Sequence, residues 1–174
     1  GGKNPNPTYK EVCTGTTGHA EATEILYSPD EVTFEELLEV HFKTHDPTTL
    51  NRQGNDVGTQ YRSAVFYHDK TQLQAAQSKG IKQLEPFGTF TRAEDYHQKY
   101  YLQQSNLAEE FYKRYPSARA FTDSTAATRA NGIVGGYVSK TRLAEIVPEL
   151  GVSSAGRETL MGMAGKAPAG CGFP

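Results

Sequence analysis

The sequence predicts a mixed α/β region followed by a helical extension, with the boundary near residue 104. Two patterns predict it. Strand-like and helix-like runs alternate through the first ninety-odd residues, and after residue 95 strand signals give way to helical spacing. The length of 174 residues fits one domain with an appendage.

Residues 1–20 are rich in Gly, Pro, Asn and Thr and read as loop. The run EATEILY at 21–27 reads as a strand that ends at the Ser28-Pro29-Asp30 turn. Thr33 can then cap a helix, with Glu36 three residues on to complete a capping box. Phe34, Leu37, Leu38 and Phe42 follow at helical spacing, and the helix must stop before Pro47. Residues 46–60 are polar and without period. A structureless stretch of that length inside a compact domain points to function.

YRSAVFY at 61–67 reads as a second strand, and 70–84 as a helix with Leu73, Ala76, Ile81 and Leu84 on one face. A short strand is expected at 88–92. Residues 95–115 read as helix, with Leu107, Phe111 and Tyr115 at i, i+4 and i+8, and shorter helices follow near 124–131, 140–149 and 154–163. AGKAPAGCGFP at 164–174 reads as a flexible tail.

Composition excludes several function classes. Lys and Arg number 18 against 20 Asp and Glu, a net charge of −2, so no basic surplus asks for nucleic acid or an anionic membrane. No stretch approaches the length of an apolar membrane span. Ten Tyr and eight Phe supply bulk for a core. Two cysteines, Cys13 and Cys171, sit at opposite ends with no CxxC and no Cys/His cluster at zinc spacing. No targeting segment is visible, and the expected setting is intracellular, in the cytoplasm.

The first third is dense in functional groups: Tyr9 in NPTY, Glu21 at the end of GHAE, Asp56 and Tyr61 in GNDVGTQYRS. A carboxyl and two phenols could converge on a polar group and supply hydrogen bonds and one proton. Each residue alone also fits a structural reading, the tyrosines as half-buried packing and the glutamate as a solvated strand end. Together, NPTYKEV, TGHAE, HDPTTLNRQGNDVGTQYRSA and AEDYHQKY closely resemble peptide methionine sulfoxide reductase A, in family order and with family spacing, over roughly residues 1–104. ATRANG at 127–132 is more loosely similar to the C-terminal extension of some members.

The resemblance implies a two-layer α/β sandwich around a mixed sheet, the reductase A-like domain occupying 1–104 and a helical extension 105–174. It also implies a reaction. A cysteine thiolate attacks the sulfur of a methionine S-sulfoxide, free or within an oxidised protein, and the departing oxygen is protonated. Glu21 matches the family's acid, Tyr9 and Tyr61 match the two tyrosines that hydrogen-bond the oxygen, and Asp56 matches the aspartate that supports the site. To donate near neutral pH, Glu21 must hold its proton, and burial beside phenols favours that. Cys171 matches the resolving cysteine, in a Gly- and Pro-rich arm. The implied reductant is thioredoxin, or dithiothreitol in its place, acting on a monomer with no metal or organic cofactor.

The sequence departs from the family pattern in one respect. The nucleophile lies in Gly-Cys-Phe-Trp upstream of a Tyr-Ala-Gly-Gly turn, and this sequence opens on Gly1-Gly2 and contains no Trp. The expectation is therefore an N-terminally truncated chain without the nucleophile, inactive alone. Cys13 is read as a partly buried bystander rather than a substitute. The alternative function is a non-catalytic module that binds oxidised methionine or a protein partner. Arg62 is read as an ion-pair partner, and His45 as the end of its helix and a brace for the loop.

Overall fold

The threonine–glutamate signature acts twice in the first ninety residues. In the computed structural model, which describes residue 2 and residues 4–163, Thr8 caps α1 (Tyr9–Cys13) and Thr33 caps α2 (Phe34–Thr44). In each, the threonine hydroxyl accepts the N3 backbone N–H while the glutamate carboxylate accepts the threonine N–H, at 2.7 Å in α1 and 2.8 Å in α2. The second helix matches the sequence expectation, and the first stands where loop alone was expected. His45 is the C-cap of α2, and its Nε2 lies 2.7 Å from the Ser63 hydroxyl, which ties the helix end to the segment entering the next strand.

The chain divides into two units, Gly1–Arg92 and Ala93–Pro174. The first is mixed α/β. Strands β1 (Arg52–Gln53) and β2 (Asp56–Val57) form a minimal antiparallel hairpin across Gly54 and Asn55, and Gly54 takes a φ of 58° that a side chain would resist. Strands β3 (Val65–Tyr67) and β4 (Leu84–Pro86) pair in parallel, Val65 opposite Leu84 and Tyr67 opposite Pro86. Helix α3 (Lys70–Ser78), capped by Asp69, crosses between them. This helix ends six residues earlier than its periodicity suggests, because Lys79 and Gly80 close it and Gly80 turns the chain with a φ of 77°. The strand expected at 88–92 is found instead at 84–86.

No strand forms at 21–27, a correction to the sequence reading. The alternation is real, but a strand needs a neighbour to take its backbone groups, and among the described residues no ladder reaches this segment. Its one backbone bond of this kind runs from Glu21 N–H to Gln60 C=O, and Leu26 stands 94% exposed.

The second unit is helical. Its elements are α4 (Tyr100–Gln103), α5 (Ala108–Arg114), α6 (Ala118–Asp123), α7 (Thr125–Val134), α8 (Lys140–Ile146) and α9 (Ser154–Gly162), with a 3-10 turn at Val147–Leu150 after α8. The single helix expected over 95–115 is broken, since Lys99 adopts a left-handed φ of 51° and Ser105 turns back on Leu102 C=O. Leu102, Phe111, Phe121, Ile133, Leu143, Val147, Leu150 and Leu160 form the core, and the Leu102 N–H donates to the Asn131 side chain at 3.0 Å. Residues 93–104 thus pack with the helical unit, where the sequence reading put the boundary near 104. Among the described residues no helix is long and apolar enough to cross a membrane.

Candidate functional site

The site is assembled on a clamp built by consecutive residues. Gly58 to Arg62 make a tight 3-10 turn, closed by Tyr61 N–H to Gly58 C=O at 3.0 Å. From this turn three residues reach the segment that carries Glu21. The Thr59 hydroxyl donates to Gly15 C=O at 2.9 Å, Gln60 C=O accepts Glu21 N–H at 2.8 Å, and the Arg62 guanidinium donates to Gly18 C=O at 3.2 Å. Arg62 is anchored by Glu85 on β4, at 3.1 Å, and by Thr59 C=O, at 3.1 Å. It is the structural ion-pair partner its position suggested.

The amino-terminal side is held in the same manner. His19 is buried, and its Nε2 lies 2.7 Å from Asn4 C=O. Thr17 is buried beside it and accepts the His19 N–H. This fixes the loop between α1 and Glu21, and Tyr9 stands at the first turn of α1.

These anchors bring four of the five site residues read from the sequence into one neighbourhood. Tyr61 lies within electrostatic reach of Glu21 and Asp56, and burial followed by those two carboxylates pushes its phenol above the ordinary value. Tyr9 is pushed up to about 12, chiefly by a hydrogen bond to the Cys13 thiol and by that thiol's charge, then by burial, Tyr61 and Glu21. Asp56 is set at the start of β2, opposite Gln53. The fifth residue, Cys171, lies outside the described residues.

Two expectations change. Cys13 is exposed rather than partly buried, because α1 has no buried residue, and it joins the cluster through Tyr9. Glu21 is exposed as well, so the burial expected to hold its proton is not supplied here, although both phenols lie within electrostatic reach of it. Gln60, 5% exposed at the centre of the clamp, was missed by the sequence reading. The signal for it was the pair of glycines flanking its place, Gly15 and Gly58. Among the described residues no three His, Cys, Asp or Glu side chains are grouped to hold a metal ion.

What the arrangement can do is donate two phenolic hydrogen bonds and one carboxylic proton to an oxygen, beside a thiol. The family model of peptide methionine sulfoxide reductase matches residues 1–130, which include every residue of the cluster. The chain belongs to the peptide methionine sulfoxide reductase family. It is an oxidoreductase of that family, whose reaction is the reduction of methionine sulfoxide. It is similar to the peptide methionine sulfoxide reductase MsrA of Sulfolobus acidocaldarius, 46% identical over 134 residues, covering 71% of this chain and 72% of that protein. The MsrA of Acidobacterium capsulatum is 51% identical over 121 residues, covering 62% and 77%. Among solved structures it is similar to reduced Mxr1 from Saccharomyces cerevisiae, with a TM-score of 0.54 and 40% identity, covering 59% of this chain and 64% of that one. The methionine sulfoxide reductase A of Corynebacterium diphtheriae gives a TM-score of 0.51 at 41% identity, covering 62% and 61%. The chain thus spans less than two thirds of the length of these two structures.

Proposed function

We propose that Tyr9, Glu21, Asp56 and Tyr61 are the oxygen-binding part of a methionine S-sulfoxide reductase site. The observation that carries this reading is that Glu21 N–H is held at 2.8 Å by the carbonyl of the residue before Tyr61, with both phenols within electrostatic reach of Glu21. A sulfoxide oxygen carries much of the negative end of the S–O dipole and accepts two hydrogen bonds, here from Tyr9 and Tyr61. As a thiolate forms its bond to the sulfur, the S–O bond breaks and the oxygen needs a proton, which Glu21 delivers. Asp56 supports the site from the hairpin. The water released then attacks the cysteine sulfur, loses a proton, and breaks the bond between the two sulfurs with its electron pair left on the methionine sulfur, so the methionine sulfur is reduced by two electrons to the thioether and the attacking cysteine is oxidised to a sulfenic acid. A second thiol, for which Cys171 is our choice, condenses with it to a disulfide and water, and thioredoxin or dithiothreitol reduces the disulfide. The substrates are free methionine sulfoxide and oxidised proteins, the protein acts as a monomer in the cytoplasm, and no prosthetic group takes part.

Gly-Cys-Phe-Trp does not occur in the 174 residues, so neither Cys13 nor Cys171 matches the attacking thiol by motif. We therefore expect this chain to bind the S-sulfoxide without turning it over. The experiment is incubation of a racemic methyl sulfoxide with the chain and excess dithiothreitol, following each sulfur configuration, together with binding of each enantiomer. The expected result is selective binding of the S form and no loss of either. Absence of any preference between enantiomers overturns the reading. Selective loss of the S form would mean that a thiol of this chain attacks, and Cys13→Ser and Cys171→Ser would identify it.

A further inference from the structure

A serine and a histidine meet beside a cavity that none of Tyr9, Glu21, Asp56 and Tyr61 lines. The cavity holds about 420 Å³ and lies between the end of α2, the loop at 47–51 and the turn after α3. That volume is within the roughly 300–1,000 Å³ of small-ligand sites. Its lining includes the apolar side chains of Phe42, Leu50 and Ile81, together with Ser63 and Lys82. Ser63 and Lys82 stand two residues ahead of Val65 and Leu84, which pair across the parallel strands. Ser63 and its neighbour His45 are both half-buried.

The hydrogen bonds of His45 fix the direction of proton flow. Its Nδ1 lies against the His41 carbonyl, which can only accept, so Nδ1 carries the proton. In the neutral ring Nε2 is then the acceptor, and the Ser63 hydroxyl, 2.7 Å away, is the donor. The helix end supplies the orienting group. The His41 carbonyl is one of the last four of α2, which have no intrahelical N–H to accept, and it also takes the Thr44 hydroxyl at 3.2 Å. The His41 ring lies against that of His45, with centroids 4.1 Å apart. Nucleophile, base and orienting acceptor thus stand in the order that activates a serine for attack.

We propose that Ser63 and His45 form a second, acyl-transfer site, with Ser63 as nucleophile and His45 as general base toward esters that carry a short apolar acyl group. Ser63 Oγ forms a bond to the ester carbonyl carbon as its proton passes to His45 Nε2. The adduct then collapses. The bond from that carbon to the leaving oxygen breaks with its electron pair on the oxygen, which takes the proton from Nε2. The products are an acyl-Ser63 and an alcohol, and no oxidant or reductant is consumed. Water attacks the acyl-serine by the same route and restores Ser63. Phe42, Leu50 and Ile81 offer the acyl chain an apolar wall, and Lys82 adds a positive charge, the sign that favours an oxyanion. The site is independent of the sulfoxide reading and stands or falls without it.

The test uses the full chain and two probes. An alkyl fluorophosphonate, whose phosphorus takes the serine oxygen as fluoride leaves, marks the nucleophile permanently and is located by peptide mass mapping. p-Nitrophenyl butyrate reports acyl transfer through nitrophenol release. The expected result is a label on Ser63 that disappears in urea, where the serine has no base beside it. His45→Gln, which removes the base, lowers both labelling and nitrophenol release by about a hundredfold. Ser63→Ala lowers release to the background set by surface amines and Cys13. Circular dichroism checks that each variant is folded, and the labelling of the unsubstituted chain is decisive without them. A folded chain whose Ser63 stays unlabelled overturns the proposal, and so does a label that persists in urea. Equal labelling in a folded His45→Gln, or equal release in a folded Ser63→Ala, overturns it as well.

Discussion

Tyr9 holds its proton late because of its neighbours. The Cys13 thiol, one helical turn on, hydrogen-bonds the Tyr9 hydroxyl and adds charge against its ionisation, and burial, Tyr61 and Glu21 add to this, so the phenol reaches about 12. Between pH 10 and 12 the folded chain keeps a proton that the unfolded chain releases. The Tyr9 contribution to stability is therefore complete below pH 10 and is lost as pH rises through 12. Replacing Cys13 by Ser removes the thiolate, and the Tyr9 midpoint should fall toward 10. Ring-carbon NMR of the assigned tyrosine checks this, and an unmoved midpoint would discharge the thiol from the cluster. Residue identity was the most legible part of the site, because Tyr9, Glu21, Asp56 and Tyr61 each stand in a run whose chemistry is visible in the letters. Gln60 was not, since a glutamine shows its worth only through what it touches, and the contacts that define it come from Gly15, forty-five residues earlier, and from its own turn.

Elements were legible where the signal is local. Thr33 and Glu36 announce α2, and the structure shows both reciprocal bonds. The same spacing in Thr8 and Glu11 announces α1, but five residues flanked by Gly, Pro and Asn carry no apolar period to draw attention to it. Strand 21–27 failed for the opposite reason, since its pattern is local while its stability is not. Removing the α2 cap with Thr33→Ala should cost about 1 kcal/mol, read as a lower Tm or denaturant midpoint. The same helix makes the first unit sensitive to acid. Burial, then His45, holds the His41 imidazole down at about 4, and its Nε2 is buried without a partner. From pH 6.5 down to 4 the unfolded His41 takes up a proton that the folded one refuses, so stability is complete above pH 6.5 and is lost as pH falls through that window. His41→Phe should flatten the stability profile there by on the order of 1 kcal/mol, after allowance for the partly open position. A profile equally steep in the variant would place the acid sensitivity elsewhere.

At the scale of the whole molecule, the two units differ in how much apolar surface they bury. In the first, the buried apolar side chains are Ala20, Leu38 and Ala76, while Ile25, Leu26, Val40, Leu50 and Val57 are more than half exposed. In the second, a continuous cluster runs from Leu102 to Leu160, closed by long-range polar ties such as Glu110 accepting the Ser153 N–H at 2.9 Å and its hydroxyl at 2.7 Å. The sequence separated a mixed region from a helical one, because period and strand propensity change visibly along it. It did not reveal this imbalance, because Leu26 and Leu143 are the same letter, and only the fold makes one 94% exposed and the other fully buried. Burial of apolar area is the main favourable contribution to folding, so local stability should follow it. Native-state hydrogen exchange of the intact chain should show the slowest amides at Phe111, Ile133, Leu143 and Leu160, protected by at least about tenfold over the best-protected amides of α2 and α3, a difference of roughly 1.4 kcal/mol in opening free energy. Equal protection in the two units would mean that they open together as one cooperative body. Protection confined to the helical unit would mean that the residues of the proposed sulfoxide site sit on the more easily opened part, held chiefly by the hydrogen bonds of the 58–62 clamp.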